Sequence, residues 1–141
     1  MAFENPSRDD IKKLLSNTKV IAVVGLSDNR ERISYMVSEA MKKKGYTIVP
    51  VNPKATEILD ETCYSSLSDI PFPVDLVNVF RRSEYTAEIA EEAVKIGAKA
   101  LWLQLGVFNQ EAADIATEGG LAVVMDRCIK VEDSILLPQG K

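Results

Sequence analysis

The chain has 141 residues and a formal net charge of −4, and its length suits a single domain over residues 1–141. The acidic balance argues against nucleic acid and membrane surfaces as partners, because both favour a basic face. The absence of histidine excludes imidazole bases, phosphohistidine chemistry and the commonest metal ligand. Cys63 and Cys128 form neither a disulfide framework nor a metal-ligand cluster, and the chain shows neither a leader pattern nor a long apolar run. We therefore expect a cytoplasmic protein.

The first predicted element is a short helix after Ser7. Ser7 has the side chain of an N-cap, and acidic residues follow it in the first turn. Ile11, Leu14 and Leu15 form one apolar stripe at helical spacing. We expect this helix to pack against an edge of the sheet.

A strand, a turn and a helix follow. Consecutive apolar residues at 20–24 predict a strand buried on both faces. Gly25, Leu26 and Ser27 then form a sharp turn before a helix at 34–44. An anion in this turn would meet unpaired backbone amides and the positive end of the helix dipole. The turn has one glycine where the dinucleotide fingerprint has three, so an ordinary strand-to-helix turn is the alternative.

The rest of the chain alternates strands and helices with little spare chain. Further strands are predicted at 46–51, 74–80, 99–104 and 121–125, and further helices at 83–96 and 109–118. This order predicts the α/β class, with a Rossmann-like three-layer fold and a mainly parallel five-stranded sheet wound by right-handed crossovers.

Four features of the sequence give predictions beyond the order of strands and helices. Pro50, near the end of its strand, predicts limited pairing on one side. Residues 55–73 are irregular apart from one short helical turn at 66–70, and residues 134–141 read as a loosely held tail. In the helix at 34–44, the side chains expected to face the core are Met36, Val37, Ala40 and Met41.

Polar residues recur where the predicted strands end, and ligands of open parallel sheets bind beyond those ends. The exit turns are Gly25-Leu26-Ser27, Asn52-Pro53-Lys54, Phe80-Arg81-Arg82, Gln104-Leu105-Gly106 and Asp126-Arg127-Cys128. Solvation explains any single lysine or arginine among them but explains the whole set poorly. Cations converging over a helix N-terminus favour a polyanionic ligand, most simply a nucleotide with several phosphates.

Position 52 narrows the choice of nucleotide. NAD-binding domains usually place an acidic residue at the end of the second strand to hold the ribose hydroxyl. This chain has Asn52 there, with Lys54 close behind, and both can accept a ribose phosphate. NADP and coenzyme A (CoA) both carry such a phosphate. A P-loop nucleotide site is excluded, because its motif does not occur.

Short motifs follow one another in order along residues 10–135. They are Gly25-Leu26-Ser27, Ser34-Tyr35, Gly45-Tyr46, Val51-Asn52-Pro53-Lys54, Val79-Phe80-Arg81-Arg82, Trp102-Leu103-Gln104-Leu105-Gly106 and Val124-Met125-Asp126-Arg127-Cys128-Ile129-Lys130. The series resembles the small stand-alone CoA-binding proteins, which are similar to the N-terminal domain of the succinyl-CoA ligase α subunit.

The resemblance implies a Rossmann-like fold that binds CoA. The Gly25–Ser27 turn would contact the diphosphate, the Asn52–Lys54 turn would lie at the adenosine end, and the Phe80–Arg82 turn would point toward the pantetheine. The remaining predicted contacts are Arg32, Ser34, Tyr35, Gln104, Gly106, Arg127 and Cys128. The chain departs from the family pattern at Ile33, which replaces a proline, and we expect this change to loosen the loop.

These residues predict binding without catalysis. Ligation of the succinyl-CoA type passes phosphate through a histidine on a further domain, and this chain has neither. The leading hypothesis is a binding or sensor module for CoA or an acyl-CoA. The alternative is an NADP-dependent oxidoreductase that recruits Tyr35 or Lys130 as a proton donor, although Tyr35 reads more simply as a packing residue and Lys130 as a surface charge.

Cys128 follows the last predicted strand beside Arg127. A small buried thiol is usually part of the core. At a helix start next to a cation, however, it would favour the thiolate and could form a mixed disulfide with CoA. Cys63, in the irregular stretch, has no comparable setting.

Overall fold

The computed structural model describes residues 2–140. Its helices are α1 (Arg8–Asn17), α2 (Ile33–Lys43), α3 (Thr86–Lys95), α4 (Gln110–Glu118) and α5 (Ile129–Leu136). Its strands are β1 (Val20–Val24), β2 (Thr47–Val51), β3 (Glu57–Ile58), β4 (Glu61–Thr62), β5 (Leu76–Val79), β6 (Ala100–Leu103) and β7 (Ala122–Val124). None of the helices in the described residues is long and apolar enough to cross a membrane.

Five of the strands form one parallel sheet in the order β2-β1-β5-β6-β7. The predicted Rossmann-like fold is therefore confirmed. Pro50 lies in β2, an edge strand, where its missing N–H costs no bond to a second neighbour. The strand order reverses at β1, because the chain passes from β1 outward to β2 and then returns to the other side of β1 with β5.

The two faces of the sheet carry different helices. Buried apolar residues form two clusters, one on each face of the sheet. In the first cluster, α3 and α4 pack on one face through Ala90, Ala93, Ala112, Ala113 and Ala116. In the second cluster, α1, α2 and α5 pack on the other face through Ile11, Leu15, Val37, Met41 and Ile129. The Ser7 cap is confirmed, since its hydroxyl accepts a hydrogen bond from the Asp10 amide. The edge position predicted for α1 is wrong, because its apolar stripe packs onto the face of the sheet beside α5.

Three further expectations need correction. Met36 is 48% exposed, whereas Ser38 is buried on the same helix. The irregular stretch contains the short β3–β4 hairpin, whose turn residues Leu59 and Asp60 have φ of 56° and 62°. No glycine marks that turn in the sequence. The tail is ordered by α5 as far as Leu136, while residue 141 lies outside the described residues.

Candidate functional site

A cleft of about 1000 Å³ opens where β1, β2 and β5 end. The predicted residues that line it are Gly25, Ser27, Arg32, Ser34, Asn52, Pro53, Lys54, Phe80 and Arg81. The cleft therefore lies at the reversal of strand order, where open α/β sheets bind their ligands. Its far wall is formed by α3 and by Ser65 and Ser66.

Gly25 lets the three strand ends approach one another closely. Its φ is +87°, and its N–H donates to the Val51 carbonyl over 3.0 Å. A Cβ at this position would lie 2.7 Å from the Phe80 carbonyl oxygen, which is a clash with backbone. Glycine is therefore required both by the backbone conformation and by the space available.

Side chains hold the loop between β1 and α2. The Ser34 hydroxyl accepts from the Ser27 amide at 3.0 Å, the Ser27 hydroxyl accepts from the Asn29 amide at 3.0 Å, and the Asn29 carbonyl side chain accepts from the Glu31 amide at 2.9 Å. These bonds order the loop even though Ile33 replaces proline. They also assign the buried Ser34 hydroxyl a positioning role, and the Ser27 amide is already occupied.

The N-terminus of α2 opens into the cleft. Its N-cap residue, Arg32, makes no side-chain hydrogen bond to the helix. In the first turn the Tyr35 amide donates to the Arg32 carbonyl over 3.1 Å. The amides of Ile33 and Ser34 have no partner within the helix, so the uncapped end leaves them available to an anion. Arg32, Ile33 and Ser34 all line the cleft at this end. The predicted anion site is therefore the first turn of α2 more than the Gly25 turn itself.

Asn52 joins two strand exits. Its Nδ2 donates to the Leu26 carbonyl and its Oδ1 accepts from the Lys54 amide, each over 2.9 Å. The side chain predicted to meet a ribose thus positions the loop. Leu26, a predicted contact, is fully buried and does not line the cleft. Lys54 is exposed, and none of the ion pairs found within residues 2–140 involves it.

The cleft also contains charges that the sequence analysis missed. Glu31, Glu88 and Glu92 line it together with the cations Arg32, Lys54 and Arg81. Glu92 accepts hydrogen bonds from the Leu67 amide and the Ser68 hydroxyl, both at 3.2 Å, and so fastens the far wall to α3. The lining is mixed in charge, because Glu88 and Glu92 lie on α3 whereas Glu31 lies beside Arg32 in the loop before α2.

An aromatic contact was missed as well. The Arg81 guanidinium lies 4.9 Å from the centre of the Tyr85 ring, within the range of a cation–π interaction. Tyr85 remains 43% exposed and lines the cleft. A 3-10 turn (Ser83–Tyr85) leads directly into α3, and we call residues 83–95 together the α3 segment. The available signal was the spacing of Tyr85 from Glu88, Ile89 and Glu92, which places all four on one side of this segment.

Some predicted contacts lie outside the cleft. Tyr35 lines a separate pocket of about 670 Å³ between α2 and the β3–β4 hairpin. Arg82 is exposed but does not line the cleft. Gln104 is 4% exposed and donates Nε2 to Asn78 Oδ1 at 2.6 Å. The Gly106 amide donates to Asp126 Oδ1 at 2.7 Å.

The exits of β6 and β7 lie far from the exit of β1 because of the order of the strands in the sheet. These strands lie two and three positions from β1 in the sheet, about 10 and 14 Å away at the usual strand spacing. Arg127 there is exposed, and its guanidinium donates to the Asp126 carbonyl. A ligand reaches Gln104, Gly106, Arg127 or Cys128 only by extending along the sheet edge. These contacts stay predictions, and because Gln104, Gly106 and Arg127 already make hydrogen bonds of their own, we expect them to contribute less to affinity than the residues that line the cleft.

The two cysteines occupy different places. The Cys63 thiol donates to the Asn52 carbonyl over 3.4 Å, directly behind the β2 exit. Burial raises the pKa of this thiol. Cys63 therefore lies next to the β2 exit, although it does not line the cleft. Cys128 is the N-cap residue of α5, half-buried among the residues of the second cluster.

Comparison with known proteins identifies the family. Residues 19–134 match the family described as CoA binding domain. The Bacillus subtilis protein called Uncharacterized protein YneT is 48% identical over 133 residues, which cover 94% of this chain and 98% of that protein. An ADP-forming acetate–CoA ligase of Methanocaldococcus jannaschii is 24% identical over 132 residues, which cover 88% of this chain but only 19% of the ligase.

Solved structures agree with this result. A hypothetical protein from Pyrococcus horikoshii OT3 superposes with a TM-score of 0.91 at 38% identity, over 97% of this chain and 99% of that one. The predicted resemblance to small CoA-binding proteins is thereby confirmed. The chain belongs to the CoA binding domain family.

Proposed function

We propose that this chain binds CoA or an acyl-CoA in the cleft at the ends of β1, β2 and β5, and that it acts as a binding or sensor module without chemistry of its own. The observation that carries the proposal is the convergence of the uncapped α2 N-terminus with Arg32, Lys54 and Arg81 in one cleft. A cleft of this kind suits a ligand with phosphates at more than one point.

Each part of the ligand has a place in the cleft. The diphosphate meets the Ile33 and Ser34 amides in the first turn of α2, beside the Gly25 turn that lines the same cleft. Lys54 takes the phosphate on the adenosine ribose, because it is exposed and belongs to no ion pair among the described residues. The pantetheine leaves past Phe80 and Arg81.

The proposal of binding without catalysis rests on the chemistry of the lining. The cleft holds no histidine or cysteine, and its Glu92 is engaged by Leu67 and Ser68. The proton donors considered for an NADP-dependent oxidoreductase lie elsewhere, since Tyr35 lines the other pocket and Lys130 is exposed on α5. The oxidoreductase alternative therefore has no supporting observation.

Ligation is a property that the name of the archaeal relative assigns to a much longer protein. This chain covers 19% of that ligase.

Cys63 and Cys128 are both free thiols, which suits the reducing cytoplasm that we propose as the location of this protein.

Calorimetric titration with CoA, acetyl-CoA, NADP and NAD tests the proposal. We expect CoA or acetyl-CoA to bind at least tenfold more tightly than either dinucleotide, and mild-condition mass spectrometry to find a CoA compound on the purified protein. Incubation with acetate or succinate, a nucleoside triphosphate and CoA should yield no thioester. Tighter binding of NADP, or thioester formation by the isolated chain, would overturn the proposal.

A further inference from the structure

The loop after β6 uses its polar groups within the protein but leaves two large apolar side chains in water. The Gly106 amide donates to Asp126 Oδ1 over 2.7 Å, and the Asp126 amide donates to the Val107 carbonyl over 3.1 Å. Leu105 in this loop is nevertheless 71% exposed, and Phe108 is 50% exposed. We name these two side chains the β6 ledge.

Ser83 fastens the β6 ledge to the segment that follows β5. Its hydroxyl accepts a hydrogen bond from the Phe108 amide over 3.0 Å, and its carbonyl accepts one from the Asn109 side chain over 2.8 Å. The backbone under the ledge is therefore held from the β5 side as well as from the β7 side. A ligand that covers the ledge would meet a preorganised surface, which lowers the entropy cost of binding.

The β6 ledge lies directly beside the cleft. Strands β5 and β6 pair in parallel as far as Val79 and Leu103. Two residues further on, Arg81 and Leu105 therefore leave the sheet as neighbours, one strand spacing of about 5 Å apart. Arg81 lines the cleft and Leu105 does not. The ledge thus begins where the lining of the cleft ends.

The strand exits change in character along the edge of the sheet. Lys54 is an exposed cation at the exit of β2, on the far side of β1 from β5 and β6. Phe80, half-buried at the exit of β5, is apolar and lines the cleft. The neighbouring cation, Arg81, lies with its guanidinium 4.9 Å from the centre of the Tyr85 ring and so directs its charge toward the α3 segment. The exits are therefore cationic at β2 and apolar at β6.

A ligand that satisfies both ends of this edge is amphipathic. Its phosphates are held at Lys54 and the first turn of α2, and an apolar group would cover the β6 ledge, because removing apolar surface from water is favourable. In a CoA thioester the acyl chain is attached to the end of the pantetheine arm, farthest from the phosphates. An arm that leaves the cleft past Phe80 and Arg81 brings that chain to the next exit, which is β6.

We infer that the β6 ledge is an acyl subsite: Leu105 and Phe108 contact the acyl chain of a CoA thioester, so the preferred ligand carries an apolar chain of several carbons. The inference rests on the proposed binding of CoA in the cleft, and it narrows the ligand from CoA compounds in general to thioesters of apolar acids.

Calorimetric titration with CoA, acetyl-CoA, octanoyl-CoA and succinyl-CoA tests the subsite. Wild-type protein should bind octanoyl-CoA about tenfold more tightly than acetyl-CoA, the equivalent of about two methylene groups leaving water. Succinyl-CoA should show no such gain, because its chain ends in a carboxylate. The double variant Leu105→Ser/Phe108→Ser should reduce the advantage of octanoyl-CoA to within about twofold. Both side chains are exposed, so their replacement should leave the fold intact.

Ile135→Ser is the matched control. Ile135 is an exposed apolar side chain on α5 that does not line the cleft, so its loss should leave the advantage of octanoyl-CoA unchanged. The acyl subsite is overturned by equal affinity of wild type for octanoyl-CoA and acetyl-CoA, by an advantage that survives in the double variant, or by tighter binding of succinyl-CoA than of octanoyl-CoA. Failure of wild type to bind any of the four compounds would overturn the proposed function instead.

Discussion

The exits of β1, β2 and β5 differ from the exits of β6 and β7, although both groups lie at the same edge of one sheet. In the first group, backbone contacts at Gly25 and the Asn52 side chain bring three turns together around open space. In the second group, polar residues satisfy one another. Gln104 pairs with Asn78, and the Gly106 amide binds Asp126.

The contrast shows that a polar residue at a strand end is a ligand contact only where its neighbours leave it free. The Trp102 indole donates to the Arg127 carbonyl over 2.8 Å, and the Asp126 amide donates to Val107, so the β6 and β7 exits are closed by their own hydrogen bonds. At the β1, β2 and β5 exits, the hydrogen bonds of Gly25 and Asn52 join the turns to one another, and the cations Lys54 and Arg81 line the open cleft.

The largest effect should come from two glycines with nearly the same backbone. Gly25 and Gly106 have φ of +87° and +86°. A Cβ added at Gly25 would clash with the Phe80 carbonyl, whereas a Cβ added at Gly106 would meet open space. We expect Gly25→Ala to lower the free energy of unfolding by about 2–5 kcal/mol, from backbone strain and overpacking together. Gly106→Ala should cost about 1–2 kcal/mol, the strain alone.

Urea unfolding of both variants measures this difference. Equal losses would mean that the close approach at Gly25 is relaxed in solution, and the two groups of exits would then be alike in packing.

The next largest effect is a loss of CoA affinity, and it should distinguish a cation at the β2 exit from one at the β7 exit. Lys54→Ala should weaken CoA binding by roughly tenfold, near the low end for a charged hydrogen bond because Lys54 is exposed. Dephospho-CoA, which lacks the ribose phosphate, should lose little in the same variant. Calorimetric titration of both ligands closes a double-mutant cycle.

Arg127→Ala is the control for Lys54, since it removes an exposed cation from the β7 exit. It should change neither affinity by more than about twofold, within the range of screened surface charges. A uniform loss for both ligands in Lys54→Ala would show that Lys54 does not contact that phosphate.

Replacing two amide side chains, Asn52 and Gln104, should have different effects on CoA affinity and on the free energy of unfolding. Asn52→Ala removes the bond between two exits and should weaken CoA binding by about fivefold, the equivalent of one hydrogen bond. Gln104→Ala leaves the buried Asn78 without its partner and should cost about 1–3 kcal/mol of stability with little change in CoA affinity. Titration and urea unfolding of each variant give the two readouts. The comparison fails if Gln104→Ala weakens binding more than Asn52→Ala does.

The smallest effect is slow labelling by oxidised CoA. Cys128 lies at the β7 exit, so labelling there requires the ligand to extend along the sheet edge, whereas the raised pKa of the Cys63 thiol slows its reaction. Mass spectrometry should detect added CoA on wild type and Cys63→Ala but not on Cys128→Ala. If both single variants label to the same degree, Cys128 is only a core residue.

Much of the fold could be predicted because its signals are local. The apolar run at 20–24, the Ser7 cap and the edge position of Pro50 each follow from a few neighbouring residues. The β3–β4 hairpin could not be predicted, because Leu59 and Asp60 adopt a conformation that turns usually assign to glycine or asparagine. Met36 was predicted to face the core from its apolar side chain and its helical spacing alone. Its actual exposure depends on which helices lie beside α2.

The sequence by itself determined the five strands of the parallel sheet and the turns at which polar residues collect, because periodicity and turn chemistry act over a few residues. Only the tertiary structure decided which of those turns meet. The reversal of strand order at β1 joins the exits of β1, β2 and β5, and it brings Tyr85 and Glu88 of the α3 segment to the same cleft. No local pattern encodes the side of β1 on which each crossover returns, and hydrogen bonds such as Asn52 to Leu26 form only after that choice is made.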